Sequence, residues 1–189
     1  PGIPADSKIK KMLNKLFKDE SDRSRLKGNG NQIFLELFSG SSRVASALRN
    51  RGYGCLAFEI QNGPQFDLLR PAVLQRILGW ISGGCVAGVL LETPCTSWSL
   101  ARRGPLGSPG GPLRTGVHIW GVPGLGASDR QKIVLGNASA RISSRVIRAC
   151  ISQRVAVALE NPVNSRLFHC PPIERLCRRQ DARSICFDM

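Results

Sequence analysis

The chain has 189 residues, 42% of them hydrophobic and 21% charged, which fits one globular domain with a sizeable core and excludes a disordered chain. It carries 27 Lys and Arg against 13 acids, a net charge of +14, and that excess favours a polyanionic partner, nucleic acid being the usual one, over a basic surface with no specific partner. No run of about 18 apolar residues occurs, so no membrane-spanning helix is expected, and an anionic membrane surface is not the expected partner because the basic residues are spread along the chain.

Residues 1–30 read as a lead-in. Ile9, Met12, Leu13, Leu16 and Phe17 recur at helical spacing, with Lys8, Lys10, Lys11, Lys15 and Lys18 between them. A basic amphipathic helix is expected there, broken at Gly28-Asn29-Gly30-Asn31. It is a different kind of N-terminus from the apolar leader of a secreted protein.

Residues 31–189 are expected to form one Rossmann-like domain. Ile33–Phe38 reads as a strand, Ser39-Gly40-Ser41-Ser42 as a turn, and the stretch through Val44, Ala45, Ala47 and Leu48 as a helix. Cys55–Ile60 reads as a second strand and Pro71–Ile81 as a helix with Val73, Leu74, Ile77 and Leu78 on one face. Val86–Leu91 is apolar throughout, as a strand covered on both faces should be. Residues 100–128, rich in Gly, Pro, Arg and Ser, read as one long loop. Ser128 and Asp129 can cap a helix running toward Gln153. Val155–Leu159 reads as a fourth strand, Pro171–Arg178 as a short helix and Ser184–Phe187 as a fifth strand. This alternation implies an α/β fold: a mainly parallel, doubly wound sheet flanked by helices. The chain stops straight after that last apolar run, so a domain truncated at its C-terminus, a piece of a longer protein, is expected.

The seven cysteines include no CxxC pair, and only His118 and His169 could join them, so the paired spacing of a structural zinc site is missing and no metal is expected. Reduced cysteines, and hence an intracellular location (nuclear in a eukaryote), are the simplest reading. Cys55, Cys85, Cys150 and Cys186 are expected to be small buried hydrophobes.

In a parallel α/β sheet, ligands bind beyond the carboxyl ends of the strands. The four main predicted strands end at Phe38-Ser39-Gly40, at Glu59, at Glu92-Thr93-Pro94-Cys95 and at Glu160-Asn161-Pro162. A small-residue turn before a helix lets backbone approach a ligand. Glu59 follows Gly40 at about the twenty-residue spacing expected of a ribose-binding acid; a solvated strand end is the simpler alternative. Asp67 suits either an adenine amino group or a helix cap. Cys95 sits in a proline-stiffened polar loop with Arg102 and Arg103 nearby, where a thiolate could be supported. Glu160 can face the Cys95 loop if the two strands are neighbours, and could then serve a base ring nitrogen.

These residues resemble a known family. Leu37-Phe38-Ser39-Gly40 resembles the cofactor turn of the DNA cytosine-C5 methyltransferases, Pro94-Cys95-Thr96-Ser97-Trp98-Ser99 looks like their Pro-Cys loop, and Glu160-Asn161-Pro162 looks like their Glu-Asn-Val segment. Ser42 stands where the family usually has a second glycine, and Thr96 where it has glutamine. The resemblance implies a class I methyltransferase-like domain with S-adenosyl-L-methionine as cofactor. Phe38, Ser39 and Gly40 would line its methionine side, Glu59 its ribose and Asp67 its adenine. Cys95 would add to C6 of a flipped cytosine and Glu160 would engage the ring nitrogen. Pro94, Ser99, Asn161, Arg102 and Arg103 would lie on the substrate side. The alternative is a catalytically inactive methyltransferase-like domain that binds nucleic acid within a larger mobile-element protein.

Overall fold

In the computed structural model, residues 32–186 are described, apart from Arg103, Gly107 and Pro109. The basic helix expected in residues 1–30 lies outside them. Ile33–Leu37 forms strand β1, whose Leu35 and Leu37 are wholly buried on one face. On the other face Phe34 packs with Val44, Ala45 and Leu48 of helix α1 (Arg43–Arg49), and with Cys55 and Leu90. Strand β2 (Cys55–Phe58) pairs parallel to β1, and so does β3 (Val86–Glu92) on the other side. Strand β4 (Ala156–Glu160) completes a four-stranded parallel sheet of order β2-β1-β3-β4.

That order explains the apolar patterns. Central β1 and β3 are mostly buried, whereas edge strand β4 is nowhere fully buried. The chain leaves β1 toward β2 on one side and returns as β3 on the other, so the order switches direction at β1, where a doubly wound sheet opens a crevice.

Helix α2 (Pro71–Ser82) starts with proline at its first position and buries Val73, Leu74, Ile77 and Ile81, the stripe expected of a helix on a sheet. It ends at Gly83-Gly84, where Gly84 takes φ +73° and the amide of Cys85 reaches back to the Trp80 carbonyl at 3.0 Å. A left-handed glycine of this kind stops a helix at little steric cost. Helix α3 (Ala127–Ser152) starts one residue before Ser128. Asp129 therefore lies inside its first turn, and the expected capping pair is displaced into the helix. Helix α4 (Pro171–Cys177) follows a short 3-10 turn at Arg166–His169.

Two expectations are corrected. Ser184–Cys186 forms no strand; its apolar residues number only Ile185 and Cys186, too few for a buried stripe. Cys85 and Cys186 are exposed, unlike buried Cys55 and Cys150. Cys85 belongs to the turn that ends α2, and a turn at the end of a sheet offers no core to fill.

The chain divides into two compact units. One contains β1, α1, β2, α2, β3 and residues 146–159; the other is Thr93–Arg145 with Glu160–Ser184. Of the candidate residues, Phe38, Ser39, Gly40, Glu59 and Asp67 fall in the first, and Pro94, Cys95, Ser99, Arg102, Glu160 and Asn161 in the second.

Candidate functional site

In the first unit the turn after β1 is held in an uncommon backbone. Phe38, Gly40 and Ser42 all take left-handed φ, at +59°, +47° and +52°. Such a conformation costs a non-glycine residue on the order of 1 kcal/mol or more and persists only where surroundings fix it. Here the amide of Ser39 donates to the Phe58 carbonyl (3.1 Å) and that of Ser42 to the Ser39 carbonyl (2.7 Å), while the hydroxyls of Ser39 and Ser42 share a bond of 3.0 Å. Ser42 thus occupies a glycine-like conformation at the position where the resembled family usually has glycine.

The amide of Gly40 donates to Oε2 of Glu59 at 2.9 Å. Glu59 lies just past β2, so one carboxylate oxygen braces the turn. Its Oε1 takes no hydrogen bond from the described residues. A Cβ on Gly40 would meet nothing within 4 Å, so the tip of the turn borders open space. Asp67 accepts the amide of Leu69 through Oδ1 at 2.9 Å, a local turn interaction.

Glu36, in the middle of β1, was not singled out by sequence. It is wholly buried and accepts the amides of Ala45 (2.6 Å) and Val44 (3.4 Å) at the start of α1. Helix α1 has no capping side chain of its own, so Glu36 satisfies two of its free N–H groups from the strand below. Burial raises the Glu36 pKa, opposed by the amides of Ala45 and Val44 and by Arg49. The legible signal was a lone acid inside Ile33-Phe34-Leu35-Glu36-Leu37.

In the second unit, Thr93 and Asn161 tie together the segments that leave β3 and β4. Asn161 Nδ2 donates to the Thr93 carbonyl, and Thr93 Oγ1 shares a 2.7 Å bond with the Ser143 hydroxyl. The next residues fold into a turn in which the Cys95 carbonyl accepts the amides of Trp98 (2.8 Å) and Ser99 (2.9 Å). Ser97 and Trp98 are buried, Cys95 is half-buried, and Pro94 and Thr96 are exposed. The Trp98 carbonyl accepts the amide of Arg166 at 3.0 Å. Ser99 Oγ accepts the amide of Ala101.

The neighbouring strands place Glu160, the last residue of β4, at the sheet end from which the Cys95 segment departs. Desolvation raises the Glu160 pKa. No described residue donates a hydrogen bond to its carboxylate. A half-buried, unpaired carboxyl of raised pKa holds its proton more readily than a solvated one.

Arg102 is committed elsewhere. It forms a bidentate pair with Asp129 at 3.0 and 2.9 Å and donates Nε to the Gly111 carbonyl at 2.6 Å. Hydrogen bonds from Arg102 and then Lys132 hold the Asp129 carboxyl below its usual range. Arg103 lies outside the described residues. The cation that does engage the Cys95 loop is Arg114, only 1% exposed, which donates to Ser97 and stacks on Trp98. No sequence signal marked it, because Arg114 lies within the aperiodic glycine-rich stretch.

Comparison with protein-family models, curated proteins and solved structures finds no match in any of the three.

Proposed function

We propose that this chain is a class I methyltransferase-like domain that takes S-adenosyl-L-methionine and acts on cytosine C5 in DNA, with Cys95 as nucleophile and Glu160 as proton donor. The observation that carries the reading is the junction of β3 and β4. The strands are neighbours, Asn161 ties the Glu160 segment to Thr93, and Cys95 is partly exposed in a loop anchored on both sides.

The chemistry follows from those groups. Cys95, as thiolate, adds through Sγ to C6 of an extruded cytosine, and the ring electrons move toward N3, which takes the proton of Glu160. The raised pKa of Glu160 suits that donation. The cofactor, when bound, supplies an electrophilic methyl group for C5. Departure of the C5 proton to solvent then expels the Cys95 thiolate, N3 gives its proton back to Glu160, and the ring is restored. In the other unit the residues fit a nucleotide-type cofactor: the turn Phe38-Ser39-Gly40 faces open space at Gly40, and Glu59 keeps one carboxylate oxygen for a ribose hydroxyl. Asp67 has its second oxygen for an adenine amino group.

Support for a nucleic-acid partner comes from charge. Arg141, Arg145 and Arg148 recur at four- and three-residue steps on α3 and are all exposed. None forms an ion pair with a described residue. Beyond Asp129, which Arg102 and Lys132 neutralise, α3 has no acid.

Tritium-labelled S-adenosylmethionine tests the reading directly. Label is expected to pass to DNA with the native protein and not with Cys95→Ala. Equal transfer by both would overturn the cysteine mechanism. A second reading, a nucleic-acid-binding domain without catalysis, is favoured by Arg102, whose charge is consumed by Asp129. Calorimetry separates the two: cofactor binding supports the enzyme, and DNA binding without cofactor binding supports the second reading.

A further inference from the structure

Arg114 is held in a way that its sequence context does not announce. Nε and Nη2 donate to the carbonyl and hydroxyl of Ser97 at 3.0 and 2.9 Å, and Nη1 donates to the Ile119 carbonyl and to Asn137 Oδ1, both at 2.7 Å. Nη2 also reaches the Ile133 carbonyl at 3.4 Å. The guanidinium carbon lies 3.3 Å from the centroid of the Trp98 ring. No carboxylate is among these partners, and desolvation lowers the Arg114 pKa to about 10.

A buried cation without a counter-ion is costly. Trp98 adds to the cost, since its indole N–H is buried without a partner. A fold arranged for stability alone would place an apolar side chain here. Two of the five hydrogen bonds and the stack all fall on Ser97-Trp98, two and three residues after Cys95. The remaining bonds reach helix α3 and the Ile119 segment, which serve as the fixed side of the clamp.

We propose that Arg114 is the positioning residue of the nucleophile loop: it clamps Ser97-Trp98 and so holds the turn that presents Cys95. This rests on the reading of Cys95 as the reactive group. A planar fork with donors on several edges can grip a carbonyl, a hydroxyl and an amide at once, which lysine cannot do. In this arrangement the loop opens only when those bonds break.

Alkylation by iodoacetamide, mapped to each cysteine by mass spectrometry, measures the opening. Exposed Cys85 is the reference for free access, and buried Cys55, Cys150 and Cys170 report whether the protein stays folded. In the native protein Cys95 should react more slowly than Cys85. Loss of the Arg114 hydrogen bonds to Ser97 predicts that Arg114→Gln speeds Cys95 alkylation about tenfold or more. Arg114→Lys should restore little of the protection, and Ser97→Ala should give a smaller rise. Added guanidinium should slow Cys95 again in Arg114→Ala. Unchanged Cys95 reactivity in Arg114→Gln would overturn the proposal. So would simultaneous alkylation of the buried cysteines in every Arg114 variant and in Ser97→Ala, since Arg114 would then serve the fold and not the loop. Failure of the catalytic reading looks different: the native protein transfers no methyl label, while the alkylation series still reports the clamp.

Discussion

Glu36 is a charged residue where the pattern of β1 calls for an apolar one, and its environment decides how stability follows pH. Burial raises its pKa more than the amides of Ala45 and Val44 and the charge of Arg49 lower it. The folded state therefore keeps a proton on Glu36 over a range where the unfolded chain has released it. The contribution of Glu36 to stability is fully present below the ordinary carboxylate range and is lost as pH rises through its raised pKa. Glu160 contributes with the same sign, because desolvation raises its pKa too. Glu36→Gln removes one ionisation and keeps an acceptor for Ala45. Urea titrations across this pH range should show a shallower decline for Glu36→Gln than for the native protein. Parallel declines would mean that Glu36 does not titrate there.

At the scale of elements, α3 contains a position where local propensity and packing disagree. Gly136 lies in the middle of a helix, where alanine is ordinarily better by about 1 kcal/mol. A Cβ there, however, would overlap Ser97 Oγ and come within 2.8 Å of Arg114 Nη2 and 3.2 Å of Trp98 Nε1. Those groups cannot retreat, since Ser97 and Arg114 hold each other and Trp98 is wholly buried. Overpacking of this kind costs about 1–3 kcal/mol, so packing should prevail over propensity. Gly136→Ala is expected to unfold at lower urea concentration than the native protein; equal or greater stability would show that the clamp can yield. The same element shows what sequence could reveal. The hydrophobic period of α2 and the apolar runs of β1 and β3 were legible because their partners lie across whole faces. The start of α3 was not, because Asp129 looked like a cap and instead neutralises Arg102 and Lys132. The strand expected at residues 184–187 rested on an apolar run too short to bury a face.

At the scale of the whole molecule, the strand order turns a list of strand ends into geometry. Sequence could place Cys95 and Glu160 each after a strand, but only the order β2-β1-β3-β4 makes those strands neighbours. It could not find Arg114, because long-range hydrogen bonds from an aperiodic segment leave no local pattern. The net charge was legible at once, yet its distribution was not. Asp129 absorbs Arg102 and Lys132, whereas Arg141, Arg145 and Arg148 stand exposed on α3. If these three meet phosphates, removing one arginine lowers the slope of log affinity against log salt by roughly 0.9 for duplex DNA. Replacing all three by glutamine should therefore weaken DNA binding and flatten the slope by about 2 to 3. Fluorescence anisotropy over a salt series measures both quantities. The control is Arg178→Gln, since Arg178 pairs with Glu174 on α4, and it should leave the slope unchanged. An unaltered slope in the triple variant would assign the polyanion to another face, because weakening by misfolding lowers the fraction of active protein without changing how the intact fraction responds to salt.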